Sequence, residues 1–391
     1  MSCVSRAVTT RLERASWIRR MFEEGARLKK ELGADKVFDF TLGNPEVEPP
    51  PVVQRALGRV LDGAAPGQHA YMPNAGFPAV RARLAEQLSR KTGLDYDEHH
   101  VLMTVGAGGA LNTVLKALLD PGDEVILLAP YFVEYGFYVA NHGGRVVLVE
   151  TDEDFQLDIP AIEAALTART KAILLNSPNN PTGVIYSAES LAALDAMLRR
   201  RAPDVVVISD EPYKALTFDG LEAPEVPACI ERCVIATSWS KALAIPGERI
   251  GYLAISPRIP AARQLFDACC FTQRTLGFVN APALWQRVVG EVGLDDTVEI
   301  GPYQEKRDLL WEGLTRMGYH CVRPSGAFYL FPRTPDPDDV AFVRRLQEEG
   351  ILAVPGSGFG RGGHMRLALT VPRETIERSL PGFGKALRAG A

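Results

Sequence analysis

From residue 101 to residue 255 the chain repeats one pattern, a short and mostly apolar run followed by a turn and then an amphipathic stretch. The apolar runs fall at 101–105, 124–128, 145–149, 171–175, 204–209, 233–237 and 250–255, and helical stretches at 109–119, 132–141, 160–166 and 187–200 separate several of them. Runs this short with so little polar alternation read as strands buried on both faces. The intervening helices must then cross the sheet on either side, which makes it a mostly parallel, seven-stranded α/β sheet between helices. Ligands in such sheets bind beyond the carboxyl ends of the strands. The polar residues that close the runs are therefore the first candidates for chemistry.

The flanking sequence is of a different kind. Residues 5–32 read as a helix with an apolar stripe of Ile18, Met21, Phe22, Ala26 and Leu28, ended by Gly33. A short strand at 37–40 runs into Leu42-Gly43-Asn44-Pro45, where a glycine lets the backbone come close to a ligand. Helices near 52–61 and 78–91 enclose a loop, Pro66 to Gly76, that carries Tyr71 and Asn74. Beyond 260 the pattern is helical, with a long segment at 284–318 interrupted around Gly293 and Gly301. Strands at 319–323, 327–331, 351–354 and 364–369 follow, with helices at 338–349 and 373–388. The expected division is a large domain at 46–295 and a smaller α+β domain built from both termini, 1–45 and 296–391.

Composition narrows the function. The formal charge is −5 with no basic block, which argues against nucleic acid or an anionic membrane as partner. No run approaches the roughly 18 apolar residues of a membrane span, and no apolar signal core is seen near the N-terminus. The six cysteines form no Cys-x-x-Cys pair and have no histidine at a zinc-ligand spacing, so no metal site is expected and a reducing cytoplasm suits them.

Four strand ends carry candidate chemistry. Gly106-Ala107-Gly108-Gly109 follows the run at 101–105 and opens a helix; free amides there favour a phosphate, and a plain strand-to-helix turn fits equally. Asn176 to Gly183 (NSPNNPTG) follows a buried run, and its prolines stiffen a turn that can hold an asparagine amide in one orientation. Asp210, in Ser209-Asp210-Glu211-Pro212-Tyr213, is either a helix cap or a carboxylate that needs a cationic partner. Lys241, in Ser238-Trp239-Ser240-Lys241, is either a surface-loop lysine or an amine suited to an imine with an aldehyde cofactor, with Arg249 eight residues on.

Taken in order, Asn180-Pro181-Thr182-Gly183, Asp210-Glu211-Pro212-Tyr213 and Ser238-x-Ser240-Lys241 with Arg249 resemble the signature set of class I/II pyridoxal-phosphate (PLP) aminotransferases, the fold-type I family typified by aspartate aminotransferase. The resemblance runs from about residue 15 to the C-terminus. It implies that Lys241 forms the imine with PLP and later moves the substrate proton, and that Asp210 pairs with the pyridinium nitrogen. Asn180 and Tyr213 would hold the ring's phenolic oxygen, and Phe132 would stack on the ring. Ala107, Gly108, Ser238 and Arg249 would bind the phosphate, joined by Tyr71 from the second subunit of a homodimer. Arg366, after the Pro355 to Gly360 turn, would grip the substrate α-carboxylate, with Gly43 and Asn180 beside it. The chain departs from common members at Phe132 and Glu248, where tryptophan is frequent, and at Pro246.

The implied reaction is transfer of an amino group from an aspartate-like or broad range of L-amino acids to a 2-oxo acid, 2-oxoglutarate being the expected one. The alternative within the same cofactor chemistry is elimination or replacement, as in 1-aminocyclopropane-1-carboxylate synthase acting on S-adenosylmethionine. An aminotransferase-like transcription regulator is a poor fit, because only about 45 residues precede the large domain and they hold no basic recognition helix. Arg274 is a candidate for holding a second, side-chain carboxylate, and a place on the surface or behind the residues that touch substrate fits it at least as well.

Overall fold

The structure, a computed structural model, describes residues 36–63 and 66–388, together with 3–6, 8–10, 12, 27, 30 and 33. The apolar stripe expected along a helix at 5–32 lies outside the described residues. In chain order the strands are β1 (Phe38–Asp39), β2 (Val101–Thr104), β3 (Glu124–Ala129), β4 (Arg145–Glu150), β5 (Thr170–Asn176), β6 (Val206–Asp210), β7 (Cys233–Ser238), β8 (Gly251–Ile255), β9 (Tyr329–Leu330), β10 (Ile351–Leu352), β11 (Val354–Pro355) and β12 (Met365–Ala368).

The seven runs between 101 and 255 form one sheet in the order β2-β8-β7-β6-β5-β3-β4. All neighbours are parallel except β8, which is antiparallel to both β2 and β7. Alternate residues of one strand serve opposite faces. Leu174 of β5 packs with Leu111, Val114 and Leu115 of the helix Gly106–Leu118. Its neighbour Leu175 packs with Leu191, Leu194 and Leu198 of the helix Ala188–Arg201. Two covered faces leave no place for a polar residue, which is why most of the runs read as continuously apolar; the run at 145–149 is the exception, because β4 is the edge strand and leaves Val146 38% and Leu148 46% exposed. Each such side chain contributes about 1.5–3 kcal/mol by leaving water.

The register sets the site. In the parallel set Asn176 pairs with Asp210 and Asp210 with Ala236, so the carboxyl ends of β5, β6 and β7 lie side by side. Ser238 closes β7, and the short helix Trp239–Ala242 carries Lys241 onward from it.

The rest of the chain closes over this edge. β1 pairs in parallel with β10, Phe38 opposite Ile351, while β11, β12 and β9 form a three-stranded antiparallel sheet. Both pack with the helices Gly301–Met317, Asp339–Glu348 and Arg373–Arg388 around Phe40, Phe328, Phe342 and Phe383. The long helical segment is indeed broken, into Ala283–Glu291 and Gly301–Met317.

The strand expected at 319–323 does not form. Tyr319 is buried with its hydroxyl on Phe383 O at 3.0 Å, and the Cys321 carbonyl accepts from Trp311 Nε1 at 3.0 Å. The inward side chains were legible, but the backbone has a single bond to the facing chain, Arg333 N to His320 O at 2.8 Å, and so no ladder. Likewise the run at 351–354 is split at Ala353 into β10 and β11, which serve different sheets. Among the described residues no helix is long and apolar enough to cross a membrane.

Candidate active site

Asp210 ends β6 and is 5% exposed. Tyr135, on the helix Glu134–Asn141, donates its phenolic hydrogen to Asp210 Oδ2, and Asn176 Nδ2 donates to the Asp210 carbonyl at 2.9 Å. The other carboxylate oxygen, Oδ1, is buried and has no hydrogen-bond partner. Burial pushes the Asp210 carboxyl up to about 7; the Tyr135 hydrogen bond opposes that rise and the nearby Glu211 charge adds to it. A strand-end carboxylate with one oxygen anchored and one buried and unpaired is built for a cation that completes it.

Lys241 faces the same space. Its Nζ donates to the Gly43 carbonyl at 2.8 Å and stands 5.4 Å from the centre of the Phe328 ring. Desolvation, helped by the positive charges of Arg366 and Arg249, pulls its pKa down to about 8. An amine in that range is partly neutral near physiological pH and therefore nucleophilic and basic.

The turn after β2 lies against Arg249. Gly106 has φ +69°, and a β-carbon there would stand 2.8 Å from Arg249 Nη2. Arg249 is itself left-handed at φ 52° and donates from Nη1 to Pro246 O at 2.8 Å. A non-glycine residue held in that conformation is retained where its side-chain direction matters. Gly108 faces the Tyr138 hydroxyl, 3.3 Å from where a β-carbon would sit.

On the opposite side Arg366, on β12 and 9% exposed, donates to Asn180 Oδ1 at 3.1 Å and to the Thr41 carbonyl at 2.7 Å. Its guanidinium lies 4.7 Å from the Tyr329 ring centre and 4.8 Å from that of Phe359. Asn180 is in turn fixed through its backbone N–H, which donates to Asn176 Oδ1 at 2.7 Å. Tyr213 and Tyr329 share a hydroxyl–hydroxyl bond of 3.1 Å.

A single cavity of about 420 Å³ gathers these groups. Of the residues expected from sequence, Gly43, Ala107, Gly108, Phe132, Asn180, Asp210, Tyr213, Ser238, Lys241, Arg249 and Arg366 all line it. Phe132 meets Tyr135 edge to face at 5.4 Å. Tyr71 does not line it; it is 91% exposed. Arg274 is exposed near the end of the helix Ala262–Thr275 and is also not part of the lining. Sequence reasoning missed Tyr135, Tyr138, Tyr329 and Glu134. The first two stand three residues apart just past Phe132, and that spacing on a helix beside an aromatic was the available signal.

The donor set fits PLP: an unpaired buried carboxylate oxygen for a ring nitrogen, a lowered lysine for an aldehyde, and a glycine turn with an arginine for a phosphate. Together with the sheet, this is the site of a fold-type I PLP enzyme. The chain belongs to the aminotransferase class I and II family, whose model matches residues 35–381. It is 38% identical over 362 residues to the aspartate/prephenate aminotransferase of Thermus thermophilus, covering 91% of this chain and 92% of that protein. It is 34% identical to the aspartate aminotransferase of Geobacillus stearothermophilus, covering 94% and 95%. Among solved structures, an amino transferase from Eubacterium rectale superposes with a TM-score of 0.96 at 36% identity, covering 100% of this chain and 99% of that one. The Thermus thermophilus aspartate aminotransferase with maleate gives 0.86 at 33% identity, covering 99% and 100%. The protein is thus a PLP-dependent transaminase that moves an amino group between an amino acid and a 2-oxo acid. These relatives do not favour the elimination or replacement chemistry of 1-aminocyclopropane-1-carboxylate synthase.

Proposed function

We propose that the donor is an L-amino acid of aspartate-like or broad side-chain range, that 2-oxoglutarate is the usual acceptor, and that the cavity residues divide the work as follows. Arg366 holds the substrate α-carboxylate through its planar fork, with Asn180 and the Gly43 backbone beside it. Lys241 takes the α-proton and returns it elsewhere, for which an amine near pKa 8 suits neutral pH. Asp210 holds a positive charge at the ring nitrogen, and Tyr135 keeps its carboxylate aimed there. Tyr213 and Asn180 hold the phenolic oxygen, Phe132 covers the ring face, and Ala107, Gly108, Ser238 and Arg249 hold the phosphate. Bound PLP supplies the electron sink for the α-carbanion.

The observation that carries this reading is the unpaired, buried Asp210 Oδ1 in the same cavity as the Lys241 amine and the Arg366 guanidinium. The donor range is supported by the names of the relatives and by maleate, a dicarboxylate, in the Thermus structure. Half-reaction spectra against a panel of amino acids test it. Conversion to pyridoxamine phosphate with aspartate or a range of donors is expected; ammonia release without conversion would overturn transamination.

The proposal includes a homodimer in which Tyr71 reaches the phosphate of the second subunit, supported by a tyrosine 91% exposed in a single chain. It includes a large domain at 46–295 and a small one from 1–45 and 296–391, supported by the β1–β10 pairing of the two termini. It places the protein in the cytoplasm, supported by six unpaired cysteines.

A further inference from the structure

Arg361 follows the Pro355 to Gly360 turn and is not part of the cavity lining, yet it is only 8% exposed. A buried guanidinium needs acceptors for its fork of donors. It finds them on a loop 210 residues away in sequence. Nη1 donates to the Thr151 carbonyl at 2.7 Å and more weakly to the Asp152 carbonyl at 3.4 Å. Nη2 reaches Glu153 Oε1 at 3.3 Å, and the guanidinium lies 5.5 Å from the Phe155 ring centre. Phe155 is buried and left-handed at φ 60°, a conformation that a bulky side chain keeps only where its surroundings impose it.

Both segments joined in this way lead into the active-site cavity. On one side, Thr151 donates from its backbone N–H and from Oγ1 to the Ala129 carbonyl, each at 2.9 Å, which fixes the start of the stretch that carries Phe132. On the other, Phe359 lines the cavity, and its ring centre lies 4.8 Å from the Arg366 guanidinium. The Tyr131 N–H donates to the Phe359 carbonyl at 3.0 Å, and a β-carbon at Gly360 would stand 2.7 Å from the Tyr131 ring. A turn held by one hydrogen bond can pivot about it. The Arg361 clasp adds further points of attachment and resists that pivot.

Resting on the assignment of the substrate α-carboxylate to Arg366 above, we propose that Arg361 is a positioning residue for substrate binding. It clasps the Phe359 turn to the Thr151–Phe155 loop, and through the Phe359 ring it sets the Arg366 guanidinium against the cofactor site. It touches neither substrate nor cofactor. The Glu153 side chain is 73% exposed, and an ion pair in water contributes little, so the carbonyl bonds carry the clasp.

The test uses the PLP-loaded protein in single-turnover half-reactions with L-aspartate, L-alanine and L-phenylalanine, each giving an apparent dissociation constant and a limiting rate. Arg361→Met keeps an apolar stem and removes the fork. It should raise the dissociation constant of every reacting donor by a common factor of roughly tenfold or more, since all share the α-carboxylate. PLP affinity, read by equilibrium titration of the cofactor-free protein, should stay within about twofold of wild type. Arg361→Lys, whose ammonium cannot fork, should fall between, and Glu153→Gln should match wild type. In a Phe359→Leu background the Arg361→Met effect should shrink, because both act through one ring. Unchanged donor binding in Arg361→Met, different factors for different donors, an equal loss of PLP affinity, a comparable loss in Glu153→Gln, or full additivity with Phe359→Leu overturns the proposal. Should Arg361→Met not fold, Arg361→Lys decides by the same readings. Arg366→Lys, measured alongside, isolates the underlying assignment. If it leaves donor binding unchanged, Arg366 does not hold the α-carboxylate, and that reading fails whatever Arg361 does.

Discussion

Tyr135 donates its phenolic hydrogen to Asp210 Oδ2 across 75 residues of sequence, which leaves Oδ1 as the carboxylate's one free buried oxygen. The bond both aims the carboxylate and opposes the desolvation that would protonate it. Tyr135→Phe should therefore weaken PLP binding and slow turnover together. Losing a buried hydrogen bond to a charged group costs about 1.5–3 kcal/mol, or roughly 10–100-fold in cofactor affinity. Equilibrium titration with PLP measures it, and an affinity within about twofold of wild type would refute the role.

Asp210 also gives the cofactor-free protein a pH signature. Its folded-state pKa is about 7, against an ordinary value of 3.8. Between these values the native state keeps a proton that the unfolded chain has lost, so this group's contribution to stability falls as pH rises from about 4 to 7. Asp210→Asn has no such titration. Urea unfolding of both cofactor-free proteins at pH 5 and pH 7.5 should show wild type losing more stability over the interval, by about 2–4 kcal/mol. Equal losses would show that Asp210 is already ionised at the lower pH.

Lys241 predicts the pH course of cofactor loading. Only the neutral amine attacks an aldehyde. With the folded pKa near 8 instead of 10.5, the loading rate should rise through pH 8 and level off by about pH 9. Stopped-flow absorbance after mixing with PLP reads this directly, and a rate still climbing steeply at pH 10 contradicts it. Lys241→Ala should lose the visible absorption of the lysine-bound cofactor and at least ~10³-fold in turnover.

Gly43 is a steric prediction. A β-carbon there would overlap the Tyr329 hydroxyl, which is bonded to Tyr213 at 3.1 Å. Gly43→Ala must push Tyr329 away from Tyr213 and disturb the ring stacked beside Arg366. We expect a loss of about 1–3 kcal/mol in stability from overpacking, and a raised KM for every amino acid tested. Thermal unfolding and steady-state kinetics check the two effects separately; an unchanged KM would mean that the wall yields.

Much of this site was legible in the chain because Asp210, Lys241 and Asn180 each follow an apolar run whose end a parallel sheet turns into a ligand edge. The large sheet was readable for the same reason: Leu174 and Leu175 face opposite ways and both had to be apolar. Tyr135 and Glu134 were not legible, because their importance depends on how the helix Glu134–Asn141 is rotated against β6, and no local pattern reports that. The segment 319–323 was expected as a strand, but a strand also needs a hydrogen-bonding neighbour, and that depends on distant chain. Arg274 shows the converse, a charged residue in a suggestive position that the fold leaves on the surface.

The segment from Thr41 to Gly43 receives a hydrogen bond from Arg366 at one carbonyl and from Lys241 at another. One short stretch of backbone is thus tethered to both the residue proposed to attach the cofactor and the residue proposed to receive the substrate. The Lys241 nitrogen that donates to Gly43 is the same atom that would bond to the aldehyde, so the backbone contact at Gly43 sits directly against the cofactor's proposed attachment point.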